Sequence, residues 1–117
     1  MCLKKVFIGL AATFVSAIVF LSISPPDVFA SHADMYYSMG REYMKKNNFD
    51  MAALAFQKAT ELAPEWAEAY NALGEAYFQL LRFGEARAEF DKAIKLKPDY
   101  TQAKINRSRT DLALSLI

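Results

Sequence analysis

The sequence predicts an all-α protein in which antiparallel helical hairpins stack side by side. The main observation is a period of 34 residues: shifted back by 34 positions, residues 67–98 meet an identical residue at 11 places without a gap. A fixed period of this length is typical of stacked-repeat architectures. The second observation is that glycine, aromatic and proline residues recur in register. The residues that recur are Ala67, Tyr70, Gly74, Tyr77, Phe83, Ala86, Phe90, Lys92, Ala93, Leu96 and Pro98.

Two apolar stripes in each copy predict two helices. In the second copy, apolar residues recur at helical spacing from Tyr70 to Leu80, which indicates a helix of about four turns. After a break at Arg82, a second stripe begins at Phe83 and predicts the partner helix. Pro98, like its counterpart in the first copy, ends the second helix because proline cannot continue the backbone hydrogen-bond ladder.

Glycine occupies the same place in the first helix of both copies, as Gly40 and Gly74. Glycine in a helix interior costs about 1 kcal/mol relative to alanine, so its repetition requires a reason. We interpret it as a close contact between helices, in which Gly40 faces Ala52 and Gly74 faces Ala86. Asp50 is expected to cap the second helix of the first copy by accepting a hydrogen bond from a free amide.

The succession aromatic–x2–Leu/Met–Gly–x2–Tyr, followed by Ala, Phe, Ala and Pro, resembles the tetratricopeptide repeat. The resemblance implies a short α-solenoid with a right-handed superhelix. Its domain would cover residues 31–117, with repeats at 33–66 and 67–100 and a capping helix at 100–117.

The last helix differs from a repeat helix. Arg107 and Asp111 are expected to face water, since an array needs a terminal piece with a polar outer face. Its end, with Leu116 and Ile117, is strongly apolar and could serve association. Because arrays usually need three or so repeats, we expect a homodimer through this helix or a stabilising partner.

The N-terminal segment, residues 1–30, reads as a secretory signal peptide. Lys4 and Lys5 form a basic start, residues 6–23 form an uncharged run, and small or apolar residues lead to Ala30. The alternative is an uncleaved membrane anchor, because an 18-residue helix spans about 27 Å. Either interpretation places the repeats across the cytoplasmic membrane, free in an extracytoplasmic space or tethered by a single N-terminal span.

The remaining composition points away from catalysis. After His32 the chain has neither histidine nor cysteine, so nucleophilic and zinc chemistry lack their usual residues. The four glycines are scattered and form no phosphate loop. A net charge of +1 gives no reason to expect a nucleic-acid partner. We therefore expect no enzyme, no cofactor and no metal.

Recognition of another protein is the function that remains. The resemblance implies that the first helices line a concave groove for a peptide or protein segment. The predicted groove residues are Tyr37, Arg41, Met44, Lys45, Asn71, Glu75, Phe78, Asn106 and Arg109. We expect an adaptor that is exported or membrane-tethered. The alternatives are a membrane-anchored assembly factor for a membrane complex and a self-associating structural module without a peptide ligand.

Some members of the family hold a C-terminal carboxylate with a Lys/Asn/Asn/Lys/Arg set. The corresponding places here carry other residues, so the resemblance does not extend to that clamp. These residues are Tyr37, Arg41, Ala72, Gln102 and Asn106.

Overall fold

The computed structural model describes residues 30–117, which contain five α-helices and no β-strand. Helix α1 covers residues 30–45, and the later helices are α2 (Phe49–Leu62), α3 (Ala67–Gln79), α4 (Phe83–Leu96) and α5 (Thr101–Ser115). Helices α1 and α2 form the first hairpin and α3 and α4 the second, while α5 packs on α4 and α3. The predicted all-α fold of stacked hairpins is confirmed.

The turn inside each hairpin has the same backbone geometry in both repeats. The N–H of Arg82 donates to the carbonyl of Tyr77 at 2.9 Å, and the equivalent bond 34 residues earlier is also 2.9 Å long. This bond belongs to a helix-ending motif that places one residue in the left-handed region. That residue is Asn47 (φ 56°) in the first repeat and Leu81 (φ 61°) in the second. Asparagine tolerates this conformation, whereas leucine loses about 1–2 kcal/mol there.

Each repeated glycine makes the contact between the two helices of its hairpin, although not with the predicted alanine. A Cβ atom added to Gly74 would lie 2.6 Å from the ring of Phe90, and one added to Gly40 would lie 2.6 Å from that of Phe56. Both rings are buried, with exposed fractions of 0% and 1%. The predicted alanine partners were therefore wrong. The alanines are buried in the same core, but the large rings occupy the space that the glycines leave.

The ends of α2 correct one prediction and agree with another. Asn48 caps the helix, because its side-chain Oδ1 accepts a hydrogen bond from the N–H of Met51 at 3.3 Å. Asp50, the predicted cap, already lies inside the first turn. At the other end, α2 stops at Leu62, two residues before Pro64, as predicted.

The polar side chains of α5 do not all face water as predicted. The Nε atom of Arg87 on α4 lies 3.0 Å from the Oδ1 atom of Asp111, and Arg107 pairs with Asp91 on α4. The prediction for Arg107 and Asp111 was therefore wrong. These side chains replace the apolar contact of a repeat with an ionic one, which is worth only about 0–1 kcal/mol per pair at a solvated surface.

No helix within residues 30–117 is long and apolar enough to cross a membrane. The predicted signal peptide or anchor at residues 1–30 lies outside the described residues, apart from position 30.

We predict that Gly74→Ala destabilises the protein, although alanine is the better helix former. The added methyl group would displace the buried ring of Phe90, and overpacking of this kind costs about 1–3 kcal/mol. Gly84→Ala is the matched control, since nothing lies within 4 Å of its Cβ position. It should be neutral or gain up to about 1 kcal/mol. Urea denaturation measures both; equal effects at the two sites would contradict the glycine–phenylalanine contact.

Candidate binding groove

A pocket of about 200 Å³ opens between the first helices of the two repeats. Helix α1 forms one wall, α3 the opposite wall, and an aromatic ring of α2 the floor. The lining residues are Tyr37, Arg41, Met44, Lys45, Phe56, Ala72 and Glu75. The structure thus brings five of the nine predicted groove residues to one place. Phe56 was not predicted for the groove, because its stripe marked it only as core.

Tyr37 is the fixed part of the α1 wall. Its ring centroid lies 5.5 Å from that of Phe56 and 4.6 Å from that of Trp66, at the junction of the repeats. Aromatic pairs in such tilted arrangements contribute about 0.5–1.5 kcal/mol beyond the buried area. The side chain therefore has a structural duty in addition to lining the pocket.

Two of the predicted groove residues are not free polar groups. Asn71 is 5% exposed and Asn106 is 1% exposed. The Nδ2 atom of Asn106 donates to Oδ1 of Asn71 at 3.0 Å and to Oε1 of Glu75 at 2.9 Å. Asn71 in turn donates to the same Glu75 oxygen at 3.3 Å. The prediction that both asparagines are available to a ligand was wrong, because a helix at the end of the array uses them to attach α5 to α3.

The last two predicted residues extend the groove from α3 to α5. The guanidinium carbon of Arg109 lies 4.5 Å from the ring centroid of Phe78. Phe78 also meets Phe83 edge-to-face, with 5.1 Å between the ring centroids. A cation over an aromatic face contributes about 0.5–1 kcal/mol at an exposed site. Arg109 is thereby held over the α3 side of the groove.

The 34-residue register arranges the groove in rows that run across α1, α3 and α5. One row, named the charged row, consists of Arg41, Glu75 and Arg109. The next, one helical turn further along, is the apolar row of Met44, Phe78 and Leu112. Sequence reasoning missed Leu112 as a groove residue, although a step of 34 from Phe78 would have found it. It is 62% exposed.

The charged row keeps both of its cations available. Lys45 on the same wall pairs with Glu42 at 2.7 Å. Neither Arg41 nor Arg109, by contrast, makes an ion pair within residues 30–117. The carboxylate of Glu75 lies between them and is held by the two asparagine amides.

The hydroxyl of Tyr100, at the start of α5, lies close to the same polar cluster. Burial raises the pKa of Tyr100, and the nearby carboxylates of Glu68 and Glu75 act in the same direction. A hydrogen bond with Asn71 opposes the shift. The phenol therefore remains neutral at physiological pH and adds no charge to the groove.

In the part of the chain that the structure describes, no group of three or more His, Cys, Asp or Glu side chains is placed to hold a metal ion. The fold and the groove define a helical-repeat protein with one recessed face. The profile of the tetratricopeptide repeat matches residues 37–101. The chain belongs to the tetratricopeptide repeat family.

Solved structures agree with this assignment. The TPR2B domain of yeast Sti1, in a complex described with pHsp70, is 30% identical with a TM-score of 0.71, over 72% of this chain and 67% of that one. The first TPR of Spaghetti (RPAP3), bound to the HSP90 peptide SRMEEVD, is 26% identical with a TM-score of 0.71, over 73% and 68%. The TPR2AB domain of yeast Sti1 in its pHSP90 complex is 25% identical with a TM-score of 0.71; the match covers 89% of this chain but 41% of that one. A comparison with curated protein sequences finds no match.

We predict that Asn106→Ala destabilises the protein by about 2 kcal/mol, because it leaves two acceptors of a buried network without their donor. Ser108→Ala, at an exposed site of the same helix, should change the free energy of unfolding by no more than about 0.5 kcal/mol. Thermal and urea unfolding followed by circular dichroism give both values. A loss at Asn106 no larger than at Ser108 would remove the network as the attachment of α5.

Proposed function

We propose that the protein is a protein–protein adaptor whose groove holds an extended or helical segment of a partner. The observation that carries the proposal is the pocket between α1 and α3, which combines an apolar floor with Arg41 and Glu75 at its walls. Pockets that bind ligands combine mostly apolar lining with a few placed polar groups. The proposal is also supported by relatives of 26–30% identity that are described in complexes with pHsp70 or an HSP90 peptide.

We further propose that the adaptor works across the cytoplasmic membrane, exported or tethered by residues 6–23. The support comes from the sequence alone, from the basic start at Lys4 and Lys5 and the uncharged run that follows. A tether would favour the more specific role of an assembly factor for a membrane complex, since it holds the groove near the membrane surface.

Charge reversal in the pocket tests the adaptor proposal. The full chain, carrying an affinity tag, is used to capture partners from its native membranes. Arg41→Glu combined with Lys45→Glu should reduce the captured partner about tenfold, because like charges at an interface cost several kcal/mol. Both side chains are exposed, so the fold should remain intact. The intact mass of the same preparation tells whether residues 1–30 are retained.

Lys95→Glu combined with Lys104→Glu is the control for this experiment. It makes the same change in net charge at two exposed lysines outside the groove. Equal capture by the pocket variant, the control and the unmodified chain would rule out the groove as the binding site.

Self-association through α5 is the second candidate, favoured by the exposed fractions of Leu116 (81%) and Ile117 (89%). We predict that the unmodified chain is dimeric at tens of micromolar and that Leu116→Ser with Ile117→Ser makes it monomeric, because burial of these side chains drives the association. Leu81→Ser, at a leucine exposed elsewhere, should leave the dimer unchanged. Light scattering measures the mass; a monomer for the unmodified chain would exclude this candidate.

A further inference from the structure

We propose that the groove recognises an internal segment of its partner with an alternating charge pattern, acidic–basic–acidic, that recurs about every three residues. This inference rests on the proposed adaptor function and specifies its ligand. It follows from the order of charges in the charged row, from the distance between the helices that carry them, and from the use of the groove's amide groups.

The order of charges comes first. The row presents a cation on α1, an anion on α3 and a cation on α5, which are Arg41, Glu75 and Arg109. The two arginines have no ion-pair partner within residues 30–117, and Glu75 lines the pocket. A segment that crosses the three helices therefore meets complementary charges in the order acidic, basic and acidic. Such complementarity decides which partner is accepted and in which register it binds.

The spacing follows from helix packing. Neighbouring packed helices lie about 8–10 Å apart, so the charges of the row are separated by steps of about that length. A polyproline II segment advances about 3.1 Å per residue and has three residues per turn, so every third side chain returns to the same side after about 9 Å. A β-strand returns side chains to one side about every 6.6 Å, which does not match the step. The segment in the groove is therefore of the polyproline II type.

The apolar row supplies the second requirement. Met44, Phe78 and Leu112 lie one helical turn beyond the charged row on the same three helices. Leu112 is exposed, and Phe78 is half-buried beneath the Arg109 guanidinium. Each charged residue of the ligand is therefore followed by an apolar one that reaches this row.

The ligand is an internal segment because the amide groups that could hold a chain terminus are in use. Asn106 donates to both Asn71 and Glu75, and Gln102 donates to Asn106 at 3.3 Å. Ala72, at another of the clamp positions, has no polar group to offer. A terminal carboxylate in the middle of the row would also face the negative charge of Glu75.

Synthetic peptides with fluorescent labels and blocked ends test the inference on the full chain in detergent micelles. One peptide carries the acidic–basic–acidic pattern with a spacing of three residues. Others have the same composition with a spacing of two or four, the opposite charge order, or a free C-terminal carboxylate. Fluorescence anisotropy should show the first peptide binding about tenfold more tightly than its permuted forms, and equally well with a free or a blocked C-terminus.

Charge reversal in the protein should move this preference. Arg41→Glu with Arg109→Glu should lose about tenfold in affinity for the first peptide and gain affinity for its all-basic counterpart. Lys95→Glu with Lys104→Glu, which changes the net charge equally outside the groove, should bind like the unmodified chain.

The alternative outcomes separate this inference from the adaptor function. Preference for another pattern or spacing, or binding that requires the free carboxylate, would overturn the inference and leave the adaptor function in place. So would binding of none of the peptides by a chain that still captures its partner through Arg41 and Lys45. If no peptide binds and capture is insensitive to the pocket variant, both are wrong.

Discussion

The insertion of a phenylalanine ring against a glycine is the contact on which the rest of the structure depends. Gly40 receives Phe56 in the first hairpin, and Gly74 receives Phe90 in the second. A side chain on either glycine would hold the helices apart, so the residue with the poorest helix propensity after proline is required inside a helix. Because the two contacts are 34 residues apart, both hairpins have the same geometry and stack in register.

The groove is a consequence of this register. With the hairpins in identical geometry, equivalent residues of the first helices align in rows across the array. The residues that form the core contact are the same in both repeats, whereas those of the rows differ: the charged row changes sign between Arg41 and Glu75, and again at Arg109. Packing leaves no freedom at the glycine and phenylalanine positions, since interiors are filled to crystal-like density. Surface positions carry no such constraint and can encode specificity.

The two ends of the described array are finished differently. At the N-terminal end, Met35 and Met39 are 47% and 40% exposed, while Ala69 and Leu73, at the equivalent positions of α3, are 0% and 3% exposed because α2 covers them. At the other end, α5 replaces the apolar seam by ion pairs with α4 and by the buried network of Asn106. A repeat array buries each unit only against its neighbours, so its terminal faces need separate solutions.

The sequence by itself determined the helices, the hairpins and the register, because apolar periodicity and the 34-residue repeat are properties of local order along the chain. It also determined which helices carry the groove, and Arg41, Met44, Lys45 and Glu75 do line one pocket. Only the tertiary structure decided what each side chain meets. The glycines face rings rather than alanines, and Asn71 and Asn106 face each other rather than solvent. Whether a polar group is free depends on residues about one repeat away, and pattern along the chain does not give that distance.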